Sequence, residues 1–347
     1  MSGVDRVSRP GLVLPVGIDP TGHAGPTRMQ ARGQRWRWVS RGRYVPVEVD
    51  GSRPEQRIIE AADVLPDHGA VTGWAALRWA GGFWFDGLTA GGTSNRPVAL
   101  AVAHHDIRPQ PGIDVSQEHL DLRDVTRLDG LPLTIAERSV LFEMRHARND
   151  REAVVALGMA AYNDLVSIEE LTCFLTQHRG WVGAPRTRRA TEFADENWWS
   201  PQEARMHQTW RVDADLPKAL SNHPVFDRGG RHIGTPDLLD PEAGVAGQYD
   251  GGLHLEGRQR REDRAVEEAY RRVGLEYFTI LGGDFGDRGR TVDRMLQTRS
   301  RARFAAESRR EWTIELPHWW IPTFTVDQRR NLTASERERL LQYRRTA

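Results

Sequence analysis

Bulky and polar residues alternate through RWRWVSRGRYVPVEV (35–49), a two-residue period that predicts a β-hairpin turning at Gly42. PEQRIIEAADVL (54–65) and GAVTGWAALRWAGG (69–82) read as helices, the second ending at the Gly81–Gly82 pair. RPVALAVA (96–103) and IDVSQEHL (113–120) predict strands, joined by a loop containing Pro109 and Pro111. From residue 130 the spacing turns helical. TIAERSVLFEMRHA (134–147) opens with Thr134 and Glu137, and SIEELTCFLTQH (167–178) with Ser167 and Glu170, each the spacing of a capping box. Between them, DREAVVALGMAAYND (150–164) keeps a helical period, and packing scaffold is the expected role of all three.

The pattern changes at ADENWWSPQEA (194–204), where Ser200, Pro201 and Glu203 form a helix start with proline in its favoured first turn. The predicted order is then helix 201–212, strands 222–227, 232–239 and 244–250, and a charged helix EGRQRREDRAVEEAYRRV stopped by Gly274. A strand EYFTIL (276–281) and a helix over 287–307 complete an α-β-β-β-α-β-α unit able to fold alone. WTIELPHWWIPTFTV (312–326) is too aromatic for a solvated linker and is expected to pack back on the body. The first 32 residues, rich in Gly, Pro and Arg, are expected to be poorly ordered in part. The expected organisation is an arm (1–32), a hairpin, mixed α/β and helical region (33–195), the α/β unit (196–308) and an aromatic extension (309–347). The expected fold class is α/β, α+β overall.

A chain of 347 residues exceeds one ordinary domain, and 39% hydrophobic with 28% charged residues can bury a sizeable core. Basic and acidic residues both total 48, so no global positive field points to nucleic acid, and any such surface must come from local clustering. All but one of the basic residues, Lys218, are arginine, which lowers the weight of any single Arg-rich stretch. Cys173 stands alone, against a disulfide framework or a cysteine zinc site. The early apolar stretch is broken by Pro15 and Gly17, unlike a signal peptide, and no segment approaches the roughly 18 apolar residues of a membrane helix. A soluble protein of the reducing cytoplasm is the expectation.

The chemistry concentrates in PDLLDPEAGVAGQYDGGLHLEG (236–257). Metal-dependent phosphodiester cleavage needs hard oxygen ligands for Mg²⁺ on rigid elements, with positions left for water and phosphate. Asp237 lies on or at the end of one predicted strand, and Gln248 and Asp250, 11 and 13 residues on, share one face of the next. A hairpin through DPEAG would set Asp237 beside that pair, and Glu203 could reach in from the first turn of the preceding helix. His254 follows within one loop as a phosphate contact or proton relay. The PD dipeptide and the YDGG stretch are also good turn chemistry, so a metal site and a plain turn-rich hairpin both remain open. The following helix carries Arg258, Arg260, Arg261 and Arg264 among acids, with Arg271 and Arg272 beyond. They suit either a solvated face laced with i,i+4 ion pairs or a row of phosphate contacts.

SPQEARMHQTWR, GTPDLLDPEAGVAGQYDGGLH, RREDRAVEEAYRRVGLEYFTI and the closing helix together resemble the endonuclease-like domain related to very-short-patch-repair nucleases, within the PD-(D/E)XK superfamily. The resemblance covers Glu203 to about Phe304 and implies a restriction-endonuclease-like fold. It implies that Glu203, Asp237 and Asp250 form the acidic constellation and that His254 is the family histidine. In that family an acid stands where this chain has Gln248, so one potential anion is lost. Asp250 occupies the place of the superfamily's lysine, as is usual in this branch.

RWRWVSRGRYVP, GAVTGWAALRWAGG, RLDGLPLTIAERSVLFEM and NDLVSIEELTCFL, in residues 33 to 190, resemble the AbiEi-like antitoxins of type IV toxin–antitoxin systems. That family reads promoter DNA with an N-terminal winged helix. The hairpin fits the wing, with Arg35, Arg37, Arg41 and Arg43 available to phosphates, whereas Pro10, Pro15, Pro20 and Pro26 leave poor material for the helices before it. Trp36, Trp38 and Tyr44 are expected in the core. The leading expectation is therefore Mg²⁺- or Mn²⁺-dependent cleavage of DNA. Glu203 and Asp237 would hold the metal with Gln248 as a neutral ligand, Asp250 would orient or deprotonate water, and His254 would contact phosphate or the leaving group. The alternative is a non-catalytic DNA-binding regulator of the antitoxin type, with a nucleotidyltransferase-type toxin as its implied partner. A third reading is an interaction protein that keeps both folds and neither chemistry.

Overall fold

A computed structural model describes residues 7–89, 92–103, 107–251 and 257–345, the last span without the side chains of 257–264, 343 and 345. The chain is of mixed α/β class, α+β overall. It divides into two compact units, Met1–Arg148 with Glu170–Thr187 and Asn149–Glu169 with Arg188–Ala347. No helix of the described residues is long and apolar enough to cross a membrane.

In the first unit, β1 (Val16–Gly17), β2 (Trp36–Ser40) and β3 (Arg43–Pro46) form a sheet in the order β1-β3-β2. The segment expected to be a loose arm thus contributes a strand, and the Asp19 carboxylate ties its turn by accepting the N–H groups of Thr21, His23 and Ala24. Next come α1 (Pro54–Ala62), β4 (Ala70–Thr72), α2 (Gly73–Trp79), β5 (Val98–Ala101), β6 (Ile113–Ser116), β7 (Val125–Leu128), β8 (Leu131–Thr134) and α3 (Ala136–His146). The five strands β4 to β8 make one sheet in the order β6-β5-β4-β8-β7.

Two sequence expectations change here. The helix expected over 69–82 begins as β4, and Gly73, at φ 61°, makes the switch into α2. Where helix was expected from residue 130, β7 and β8 form a hairpin. Asp129 (φ 50°) and Gly130 (φ 85°) are both left-handed, as a type I′ turn requires. Thr134 consequently ends β8 rather than capping α3, and its hydroxyl bonds those of Thr72 and Ser139 at 2.8 and 2.7 Å.

α4 (Asp150–Tyr162) falls in the second unit, while α5 (Ile168–Gln177) and α6 (Ala184–Thr191) each cross the division. The second unit continues with α7 (Pro201–Gln208), capped as expected by Ser200, whose hydroxyl accepts the Glu203 N–H at 3.2 Å. Instead of running on to 212 as an α-helix, the chain loosens into a π-turn at Thr209–Asp213. Then follow β9 (Leu220–Ser221), β10 (Val225–Asp227), β11 (His232–Gly234), β12 (Leu238–Asp240), β13 (Val245–Asp250), α8 (Gly257–Arg272), β14 (Glu276–Leu281), α9 (Arg288–Arg301), β15 (Trp312–Thr313), α10 (Val326–Arg330) and α11 (Ala334–Leu340).

One sheet runs β14-β13-β12-β9 and a second β11-β10-β15. The strands expected over 222–227 and 232–239 do not run through. Asn222, left-handed at φ 45°, and Pro224 part β9 from β10, and Pro236, without an N–H, lies in the break between β11 and β12. α9 stops at Arg301, short of the expected 307, and Phe304 turns left-handed at φ 48°. The DPEAG hairpin pairs β12 with β13 antiparallel, and β13 runs parallel to β14.

Alternation splits the larger sheet into two faces. Leu238, Val245, Phe278 and Ile280 pack with Met206, Trp210 and Met295, and Leu239 and Ala246 pack with Val225, Tyr270, Leu275 and Trp312. Leu239 lies opposite Ala246, so the residues two away on each strand, Asp237 and Gln248, fall on the same face as that pair.

Candidate functional site

Asp237 immediately precedes β12 and is buried. Gln248 Nε2 donates to its Oδ1 at 2.6 Å, and the Tyr249 N–H donates to its Oδ2 at 2.7 Å. Its main-chain carbonyl accepts from His207 Nε2 at 2.8 Å, which makes Nε2 the protonated nitrogen of that ring. Burial holds His207 below its ordinary value. Glu203, in the first turn of α7, is also buried, and its Oε2 accepts from the Trp199 N–H at 2.8 Å and from Asn222 Nδ2 at 2.6 Å.

The electrostatics follow from this geometry. Burial pushes the Glu203 carboxyl up to about 7, against the pull of the Trp199 and Asn222 donors. Burial, followed by the neighbouring Glu203 charge, holds Asp237 well above the ordinary carboxylate range, with the Tyr249 and Gln248 donors opposing. No arginine or lysine is bonded to either carboxyl among the described residues. Two buried acids, one raised by burial and the other by burial and its neighbour's charge, either keep their protons or attract a cation.

The structure brings together Glu203, Asp237 and Gln248. Asp250 lies two residues beyond Gln248 on the same face of β13, half-buried, opposite Leu281 of β14. Among the described residues no cluster of three or more His, Cys, Asp or Glu side chains could hold a metal ion. As placed, the donor set does not form a closed metal centre. Two carboxylates offer charge, but Gln248 turns its amide nitrogen to Asp237, and both Asp237 oxygens already have donors. Half a turn of the amide would present its oxygen instead. His254 lies outside the described residues, as do the side chains of Arg258, Arg260, Arg261 and Arg264. Beyond them on α8, Arg271 pairs with Glu267 at 2.7 Å in the i,i+4 arrangement, as a solvated helix face would.

No family model, curated protein or solved structure matches the chain.

In the β2–β3 hairpin, Arg37 makes a two-pronged contact with Glu60 at 2.9 and 2.7 Å, and Arg43 is paired with Asp63, both acids on or just after α1. These two guanidiniums are spent on the fold and are not the open phosphate contacts expected of a wing. Within residues 7–34 the only helical element is the 3-10 turn Gln30–Arg32, so no α-helix precedes the hairpin among the described residues. Trp36 and Tyr44 are half-buried, whereas Trp38, expected in the core, is 47% exposed.

Sequence reasoning missed Trp199, Asn222, His207 and Tyr249 as partners of the carboxyls. NWW before the Ser-Pro start was a visible signal for Trp199. Nothing in the sequence marks Asn222, whose role depends on a left-handed backbone at φ 45°.

Proposed function

We propose that the second unit is a restriction-endonuclease-like module of the very-short-patch-repair type, which cleaves DNA phosphodiesters with a weakly held Mg²⁺ or Mn²⁺. One observation carries this reading: Glu203 and Asp237 are buried together, each raised in proton affinity, with no basic side chain bonded to either among the described residues. Such a pair costs stability and is typical of functional sites. Glu203 and Asp237 would hold the ion, with the Gln248 amide oxygen as a neutral third donor. When bound, the ion supplies Lewis-acid polarisation of the phosphate and a more acidic water. Asp250, on the same strand face, would orient a water beside the phosphate and accept its proton. The Asn222 and Trp199 donors fix the Glu203 carboxylate, and His207 fixes the backbone of Asp237. Because the carboxyls must lose protons to bind the ion, metal affinity rises with pH through about 7.

The test is calorimetric titration of Mg²⁺ or Mn²⁺ into the parent, Gln248→Glu, Asp237→Ala and the double variant, followed by cleavage assays on varied DNA. The expected result is weak binding in the parent, roughly tenfold tighter binding in Gln248→Glu from the added charge, and none in Asp237→Ala. Equal cleavage by Asp237→Ala and the parent would sink the enzyme reading. A second reading, a non-catalytic DNA-binding regulator, is favoured by the Gln248–Asp237 hydrogen bond, which closes the carboxylate without a metal. Silence in the parent with binding in Gln248→Glu would put that reading first.

A further inference from the structure

A cavity of about 400 Å³ opens within the second unit and shares Trp199 and Asn222 with the Glu203 environment. Its walls are largely aromatic, formed by Trp199, Trp319, Trp320 and Phe324, and Arg339 of α11 also lines it. The rings are held from behind. Phe226, fully buried, meets Trp319 and Trp320 edge-on at 6.0 and 5.2 Å, and His223 stacks on Phe324 at 4.8 Å. Rings fixed in this way present stacking faces without the cost of ordering them on binding.

Two polar groups on the lining lack hydrogen-bond partners. Asn222 is 2% exposed, and its amide nitrogen is committed to two acceptors, Asn197 O at 2.7 Å and Glu203 Oε2 at 2.6 Å, which fixes the amide's orientation. Its Oδ1 is buried with no hydrogen-bond partner among the described residues, a condition native proteins rarely tolerate. Arg339 is exposed and makes no ion pair or hydrogen bond among the described residues, where its charge acts at longer range on Glu336. Aromatic faces, an orphan buried acceptor and an exposed guanidinium without a hydrogen-bond partner together describe a planar heterocycle with N–H donors and an attached anion.

We propose that this cavity binds a nucleobase carrying a phosphate. The base stacks against the tryptophan walls, the phosphate meets Arg339, and binding uncovers Asn222 Oδ1, now sealed from solvent, to accept a ring or exocyclic N–H. A purely apolar ligand would leave Asn222 and Arg339 unexplained. The volume suits a single nucleotide, and a base inside a duplex, stacked on both faces, cannot enter it. Two sources share this chemistry, a free mononucleotide and an unpaired nucleotide within a strand. The proposal needs no metal, so it stands or falls apart from the carboxylate reading.

The experiment is calorimetric titration in EDTA of 5′-mononucleotides, deoxyribose 5-phosphate, a short single-stranded oligodeoxynucleotide and a blunt duplex. Parent, Trp319→Ala and Arg339→Gln proteins are compared. Trp319 is 53% exposed and Arg339 is exposed, so both variants are expected to fold, as circular dichroism will check. Mononucleotide binding, with deoxyribose 5-phosphate silent and each variant weakened about tenfold, supports the proposal with a free nucleotide as source. Binding of the single strand alone, with the same loss in both variants, supports it with a strand as source. No binding by any nucleotide or strand, preference for the duplex, or parent-like binding by both folded variants overturns it.

Discussion

Glu203 illustrates how far burial can move a single carboxyl group. Its ordinary value of 4.5 becomes about 7 in the fold, so the folded state favours the protonated acid. A group raised in this way contributes stability that is fully present below its unfolded value and is lost as pH rises through the folded one. Asp237, raised for the same first reason, acts in the same direction. In metal-free buffer the urea midpoint should therefore fall between about pH 4.5 and pH 8. Glu203→Gln keeps an oxygen for the Trp199 and Asn222 donors and should flatten that slope. At pH 8 it should gain up to about 3 kcal/mol over the parent. A slope as steep in the variant as in the parent would show that other groups set the pH dependence. The acids themselves were legible as residue types at suggestive spacing. Their proton affinities were not, because these follow from burial and from donors such as Asn222 that lie far away in sequence.

Elements in this chain are short, and their ends are decided by tertiary partners. α2 begins at Gly73, where the Trp74 N–H donates to Glu143 Oε1 at 2.8 Å and Arg96 pairs with the same carboxylate at 2.8 Å. The acid lies at the positive end of a helix without being part of it. A Cβ at Gly73 would come within 2.7 Å of Glu143 Oε1 and 2.8 Å of the Phe142 ring, on a backbone already at φ 61°. Gly73→Ala should therefore lower stability by about 1–3 kcal/mol, read as a shifted thermal or urea transition. An unchanged midpoint would mean that the backbone relaxes around the methyl group. The hairpin across Asp129 and Gly130 shows the opposite case. Its DG turn signal is present in the sequence, but the apolar spacing that follows suits one helix reaching back to Thr134. Apolar runs of a few residues serve strand and helix equally well, and pairing with β4 decided the matter.

At the scale of the molecule, three arginines of the C-terminal segment converge on one acid of the second unit. Asp164, just past α4 and left-handed at φ 58°, receives Arg329 at 2.7 Å, Arg337 at 2.9 Å and Arg344 at 2.8 Å. Those cations hold its carboxyl below the ordinary range despite its burial. Arg329 is 1% exposed, so removing its acid leaves an uncompensated buried charge. Asp164→Ala should cost about 3–5 kcal/mol and open the segment beyond residue 326 to limited proteolysis. A parent-like cleavage pattern and melting point would show that β15 and the aromatic contacts of Trp312 hold the segment without the arginines.

The sequence by itself determined what periodicity and local turn chemistry control. It placed the β2–β3 hairpin, the Ser200 cap, the hairpin through DPEAG, the strand EYFTIL and the α+β class, because each depends on residues within a few positions of one another. Tertiary structure alone decided where expected strands break, at Asn222 and near Pro236, and which arginines are committed to acids across the fold. It also decided how the carboxyls of Glu203 and Asp237 are wired. These are contacts between residues tens of positions apart, and their energies come from burial and charge proximity, which no local pattern records.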